Sequence, residues 1–212
     1  MIKAIMFDLW DTLFFDDVKP KPFEEFARKL GKSLEDYKFL KIFERNLMTK
    51  KHKDFKVPIK GILKELNIKY EKKLFKKLYE IMRKSDKHQK SFPETLKVLK
   101  KLKRKYKIIL ISNVPYPSYR NLKSKYNLNK YFDLILVSYK TKILKPDKRI
   151  FKLALRKLGL KKQEVIMVGD SIKDDVIAAQ NFGIRAILID RRNRYPSFKR
   201  RMTSLSEIFK FL

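Results

Sequence analysis

Four short segments hold the residues whose types and spacing could do chemistry. Asp8 runs into Leu9-Trp10-Asp11-Thr12-Leu13, Ser112 stands beside Asn113, Lys145 precedes Pro146-Asp147, and Gly169-Asp170-Ser171 leads to Asp174 and Asp175. Carboxylate, hydroxyl, amine and a second carboxylate cluster thus follow one another along the chain. A carboxylate nucleophile that faces an anionic phosphoryl group is repelled unless a divalent cation bridges the two. Asp8 and Asp170 can hold such a cation, and a set of oxygen ligands suits Mg²⁺, which keeps several of its waters and needs only one or two carboxylates. Asp175 is counted with the metal set as an orienter of those waters, with Asp174 beside it. Lys145 would neutralise phosphoryl oxygens, while Ser112 and loop amides would donate hydrogen bonds to them. Any one segment has an ordinary reading as a turn or a helix cap. Four of them in order, on matching elements, point to a site.

Such residues act together only if the fold carries them to one edge. Ala4 to Phe7 is a short apolar run that stops at Asp8, and comparable runs cover Ile108 to Ile111, Leu134 to Val137, Val165 to Val168 and Ala186 to Ile189. Between them, helical patterns span Pro93 to Tyr106, Tyr116 to Tyr126, Asp147 to Leu158 and Asp174 to Phe182. Strands that alternate with helices predict an α/β fold, a doubly wound parallel sheet covered on both faces. Ligands of such sheets bind beyond the carboxyl ends of the strands, where all four segments fall. The gap between the first two strands is far longer than one crossover needs. Apolar residues recur there at helical spacing, in the series Phe23-Phe26-Ala27-Leu30, Leu34 to Leu47, Ile59 to Leu66 and Leu74 to Met82. The expected organisation is a core of residues 1–15 and 91–212 and a four-helix cap of residues 16–90. Gly31 is placed to stop the first cap helix, and Ser33 with Asp36 to start the second. The cap aromatics are expected to form its own core.

Composition sets limits. The absence of cysteine excludes a thiol nucleophile, a disulfide scaffold and Cys-ligated zinc or iron–sulfur sites. His52 and His88, the only histidines, are read as helix-end residues and not as a metal site. No apolar run exceeds four residues, so neither a membrane span nor a signal segment is expected, and the protein reads as cytoplasmic with no membrane partner. The formal net charge of +31 favours anionic partners. Because lysines sit on nearly every predicted helix, any nucleic-acid binding is expected to be non-specific and salt-sensitive. The densest basic cluster runs from Arg191 to Arg201 and reads as a polyanion grip or a solvated loop. Nothing in the sequence fixes the oligomeric state.

The four segments resemble the signature motifs of the haloacid dehalogenase (HAD) superfamily over nearly the whole chain, and the insert resembles that family's C1-type helical cap. The resemblance implies that Asp8 is the nucleophile of an aspartyl-phosphate intermediate. It also implies that Mg²⁺ is held by Asp8, the Trp10 carbonyl and Asp170, and that Thr12, Ser112, Asn113 and Lys145 position the phosphoryl group. The expected activity is Mg²⁺-dependent hydrolysis of a small phosphorylated metabolite. One position departs from the pattern: phosphatases of the family usually carry Asp two residues after the nucleophile, as acid and base, and here that residue is Trp10. Asp11 follows it and is expected to point away from the cleft. Family dehalogenases carry an aromatic residue at the Trp10 position but need no metal, which leaves Asp170, Asp174 and Asp175 without a purpose beside an anionic substrate. A phosphonate hydrolase, with a Schiff-base lysine in the cap, and a catalytically degenerate basic binding module remain as alternatives.

Overall fold

The computed structural model describes residues 1–212 and their side chains, except that of residue 87. In chain order the elements begin with β1 (Ala4–Phe7) and β2 (Phe14–Asp16), then the helices α1 (Pro22–Lys29), α2 (Tyr37–Met48), α3 (Lys56–Glu65) and α4 (Lys72–Lys87). There follow β3 (Gln89–Ser91), α5 (Thr95–Leu102), β4 (Lys107–Ser112), α6 (Tyr116–Tyr126), β5 (Leu134–Val137), α7 (Ser138–Thr141) and α8 (Arg149–Leu158). The chain closes with β6 (Val165–Gly169), a wide π turn over Ile172–Ile177 that runs into α9 (Ala178–Phe182), β7 (Arg185–Ile189), β8 (Arg201–Met202) and a 3₁₀ stretch over Leu205–Phe211.

Six strands form one parallel sheet in the order β5-β4-β1-β6-β7-β8. From β1 the chain moves outward through β4 to β5. It then returns to β6 on the other side of β1, and continues outward through β7. The strand order reverses between β1 and β6, so the carboxyl ends of these neighbours flank the crevice in which such sheets bind ligands. The apolar runs divide by alternation: Ile5, Phe7, Ile108, Leu110, Ile166 and Val168 pack on one face against α5 and α6. Ala4, Met6, Ile109, Ile111, Val165 and Met167 pack on the other face, against α8 and α9. This is the expected architecture.

The insert has a third hydrophobic cluster of its own, in which Phe23 and Phe26 stand 5.1 and 5.3 Å from the Phe43 ring. Gly31, at φ +63°, stops α1 in the left-handed conformation that glycine tolerates. Asp36, and not Ser33, is the N-cap of α2, its Oδ1 accepting from the amides of Lys38 and Phe39. The predicted helix over 93–106 is confined to α5, because turns at Lys103 to Tyr106 lead the chain into β4. Three-residue strands carry no legible periodicity, and so the antiparallel ribbon β2–β3, which pairs Phe14 with Ser91 and Asp16 with Gln89, has no counterpart in the sequence reading.

Insert and core meet where α4 ends. Asp86 Oδ1 accepts from Ser118 Oγ of α6 at 2.7 Å, and Gln89 Nε2 donates to the Ser118 carbonyl at 3.2 Å. Burial pushes the Asp86 carboxyl up to about 6, against the lowering influence of Ser118, Arg120 and Arg83. A carboxyl that holds its proton more tightly folded than unfolded favours the folded state at low pH, and that advantage is lost as pH rises through the folded value. After solvent screening the penalty above that value is on the order of 1 kcal/mol. Asp86→Asn is therefore expected to raise the melting temperature by about 2–4 °C near pH 8 and to give no gain near pH 4. Thermal melts at the two pH values check this, and an equal shift at both would contradict it.

Candidate active site

Each of the four segments ends a strand of the sheet or follows one, and the sheet brings them to the same edge. Asp8 leaves β1 with its amide donating to the Val168 carbonyl at 2.9 Å, which ties the turn to β6. Asp170 follows β6 directly, Ser112 closes β4, and Lys145 lies in the segment between α7 and α8. Asp8, Ser112, Lys145 and Asp175 are all buried.

Lys145 is the hub of the arrangement. Its Nζ donates to Asp8 Oδ1 at 2.5 Å and to Asp175 Oδ1 at 2.6 Å, while Asp175 Oδ2 accepts from the Ser171 amide at 3.2 Å. Asn113 braces the lysine from behind: its Nδ2 donates to the Lys145 carbonyl at 3.0 Å and its Oδ1 accepts from the Lys145 amide at 2.8 Å. Burial works against the Lys145 ammonium, but the charges of Asp175 and Asp8 outweigh it and raise its pKa, so the side chain stays protonated. Burial, with the Asp8 charge adding to it, pushes the Asp175 carboxyl up to about 7 in spite of Lys145. Burial is also the main reason that the Asp170 carboxyl rises well above the carboxylate range, reinforced by Asp8 and Asp175. One ammonium does not balance three clustered carboxylates, two of them buried and Asp170 half-buried.

A divalent cation fits this imbalance. Carboxylate oxygens of Asp8, Asp170 and Asp175 all lie within 4.8 Å of one another, and the donors are all oxygen, as a hard cation prefers. Asp175 already has both oxygens engaged, by Lys145 and Ser171, which leaves Asp8 and Asp170 as the freer pair. Two hydroxyls of the same segments stand unsatisfied. Thr12 Oγ1 and Ser112 Oγ are buried without a hydrogen-bond partner among the described residues, a state that costs about 1–3 kcal/mol each unless a ligand relieves it.

One neighbour, Arg191, belongs to the basic run read in the sequence, and another, Glu44, stood out by nothing there. Arg191 lies over the Phe92 ring, 3.5 Å from its centroid, and donates to the Thr12 carbonyl from Nε (3.1 Å) and Nη2 (2.6 Å), with Nη1 on Glu94 at 2.8 Å. It clamps the turn after Asp8. Arg201 is paired with Asp190 at 3.2 Å, so this residue too is tied into the fold. Glu44 of α2 is buried in the cleft wall, and burial raises its carboxyl despite Lys41 at 3.6 Å. Its helical spacing alone marked it as part of the cap.

Asp11 departs from expectation. With φ +49° it breaks the strand alternation that would turn it away, and it lines the cleft with Asp8, Trp10 and Asp170, its Oδ1 3.6 Å from Lys21 Nζ. The cleft holds about 370 Å³; Phe23, Leu34, Leu40, Phe43 and Met48 of the insert give it an apolar wall opposite the charged core residues. His88 ends α4 and faces Asp17 at 3.2 Å, outside the carboxylate cluster.

Residues 2–183 match the family model of haloacid dehalogenase-like hydrolases, and the chain belongs to that family of enzymes. It is 31% identical over 207 residues to the glyceraldehyde 3-phosphate phosphatase of Methanothermobacter thermautotrophicus, an alignment that covers 90% of this chain and 86% of the relative. Among solved structures, a 2-haloacid dehalogenase of Pseudomonas syringae superposes with a TM-score of 0.66 at 24% identity, covering 99% of this chain and 97% of that one. A HAD-family enzyme of Bacteroides thetaiotaomicron, in complex with magnesium and inorganic phosphate, superposes with a TM-score of 0.62 at 21% identity over 90% and 95% of the two chains. At such identities the two structures speak for the shared fold.

Gly169 tests how tightly the site is built. A Cβ at this position would meet Asp175 Oδ2 at 2.2 Å and Asp175 Cβ at 2.5 Å, so the helix that carries Asp175 would have to shift. Gly169→Ala is expected to lower stability by about 1–3 kcal/mol and to remove most of the hydrolytic activity as Lys145 loses its anchor. Denaturant melts and turnover of an aryl phosphate check this; wild-type values for both would show that Asp175 is not packed as described.

Proposed function

We propose that the protein is a Mg²⁺-dependent phosphohydrolase that acts on a small phosphorylated metabolite through an aspartyl-phosphate at Asp8. The observation that carries this reading is the Lys145 ammonium held between Asp8 and Asp175, with half-buried Asp170 completing the carboxylate cluster. A dehalogenase that needs no metal gives these carboxylates nothing to do. The relative from Methanothermobacter thermautotrophicus is a glyceraldehyde 3-phosphate phosphatase, whose three-carbon substrate is of a size the 370 Å³ cleft suits, and the insert of residues 16–90 would serve as the cap that chooses among such substrates.

In this mechanism Asp8 Oδ1 is fixed by Lys145, which leaves Oδ2 as the attacking atom. Oδ2 makes no hydrogen bond among the described residues. It bonds to phosphorus as the phosphorus–oxygen bond to the alcohol breaks, and the electron pair leaves with the alcohol. Thr12 Oγ1 and Ser112 Oγ donate to the phosphoryl oxygens, and Lys145 neutralises part of their charge. Water then attacks phosphorus, releases phosphate and returns the Asp8 carboxylate. Mg²⁺, held by Asp8, Asp170 and the Trp10 carbonyl with Asp175 in support, would screen the negative charge on nucleophile and phosphoryl group. With Trp10 two residues past the nucleophile, the departing alcohol takes its proton from water in the cleft.

Activity is therefore expected to require the cation and to depend on the leaving group. An aryl phosphate should turn over only with Mg²⁺ and not at all in Asp8→Asn, and an alkyl phosphate should react far more slowly. Trp10→Asp should raise the alkyl rate selectively, by up to about 10²-fold, while Asp11→Asn leaves the ratio of the two rates unchanged because the Asp11 carboxylate, although in the cleft, is paired with Lys21. Steady-state kinetics on both substrates, with Mg²⁺ and with chelator, measure this. Full activity in chelator or in Asp8→Asn would defeat the mechanism, and halide release from a 2-haloacid without metal would replace it by the dehalogenase.

A further inference from the structure

Between α6, α7 and the segment that follows α2 lies a depression of about 490 Å³ that shares no lining residue with the catalytic cleft. Its floor is aromatic. Tyr119 and Tyr139 are only 2% and 5% exposed, yet neither hydroxyl makes a hydrogen bond among the described residues, and both side chains line the depression. Tyr116 packs beside them with its ring 5.1 Å from that of Tyr139. Each hydroxyl nonetheless keeps some contact with solvent, so a ligand seated in the depression can reach it.

The rim is basic. Arg120 and Lys123 come from α6, Lys140 from α7, and Lys51 from the insert, where its Nζ stands 4.9 Å from the centre of the Tyr116 ring. None of these four cations has a carboxylate within 4.0 Å among the described residues, and no acidic residue lines the depression. Hydroxyl donors without acceptors, inside a rim of cations that form no ion pair, call for a ligand that brings acceptor oxygens and negative charge; Asp86, which feels the Arg120 charge, lies outside the lining. Burial pushes the Tyr119 phenol up to about 12 and that of Tyr139 higher still, so both remain protonated donors at neutral pH.

We propose that this depression is a second anion site, distinct from the catalytic centre, which takes a tetrahedral oxyanion on the Tyr119 and Tyr139 hydroxyls within the ring of Lys51, Arg120, Lys123 and Lys140. The ligand is a phosphoryl group, either free phosphate or the terminal phosphate of a nucleotide. Because Lys51 belongs to the insert and the other cations to the core, the occupant ties one to the other. The site does not depend on what the catalytic cleft hydrolyses.

Calorimetric titration in chelator, at fixed ionic strength, tests it with inorganic phosphate and with ADP as separate probes. In the Tyr119→Phe/Tyr139→Phe double variant the rings remain and only the oxygens are lost. Wild type is expected to show one class of site that the double variant weakens about tenfold or more, as the loss of hydrogen bonds to a charged group requires. Arg120→Gln/Lys123→Gln should weaken the same class, with turnover of an aryl phosphate in the absence of added anion unchanged in both variants. Tighter binding of phosphate identifies the free ion as the ligand, and tighter binding of ADP the nucleotide. Binding unchanged in the phenylalanine variant, or reproduced by chloride at equal ionic strength, would overturn the proposal.

Discussion

A buried ammonium between two carboxylates, at the carboxyl edge of a parallel sheet, is the constraint on which this protein turns. Lys145 can be buried only because Asp8 and Asp175 meet it at 2.5 and 2.6 Å, and those carboxylates can be buried only because the lysine is there. Removing one partner from such a set typically costs about 3–5 kcal/mol, since the charge left behind has no compensation. The surrounding structure is arranged to keep the set intact. Asn113 holds the Lys145 backbone on both sides, Gly169 lets Asp175 approach without a clash, and the Asp8 amide is tied to β6. Asp8 is left with one oxygen held by Lys145 and the other without a hydrogen bond among the described residues.

The excess of negative charge in this cluster explains the division of labour around it. The core supplies charge: three carboxylates, one ammonium, and two buried hydroxyls without partners. The insert supplies mainly apolar wall, with Glu44 and Ser85 as its buried polar groups in the cleft. In the proposed reaction, chemistry and selection would be carried by different parts of the chain. Arg191 joins the two concerns from a distance by clamping the Thr12 carbonyl, and it ties the turn after Asp8 to the Phe92 and Glu94 segment that follows the insert.

Much of this was legible because the physics behind it is local. A buried parallel strand must be a short apolar run, and a polar residue must stand where it surfaces, so Asp8, Ser112 and Asp170 could be placed on one edge from the sequence alone. The four cap helices were legible by the same token, from apolar residues at helical spacing. What the sequence hid depends on contacts between distant segments or on single dihedral angles. Asp11 faces the cleft because one residue takes a left-handed conformation, and a rule of alternation fails at that point. Strands β2 and β3 are too short to show a period, and the partnerless tyrosines beneath Arg120 look in sequence like any core aromatics. Arg191 sat in a basic run whose composition suggested a surface, yet its guanidinium is held by a ring, a carboxylate and a carbonyl.

In the proposed reaction the phosphoryl group passes through Asp8 while Lys145 holds the other oxygen of that carboxylate. Rapid acid quench of the enzyme turning over an aryl phosphate with Mg²⁺, followed by peptide mapping, tests it most directly. The phosphoryl group should be found on the peptide that contains Asp8, and should be missing from Asp8→Asn. Turnover with no phosphorylated enzyme at any quench time, or with the group on a different residue, would contradict the account.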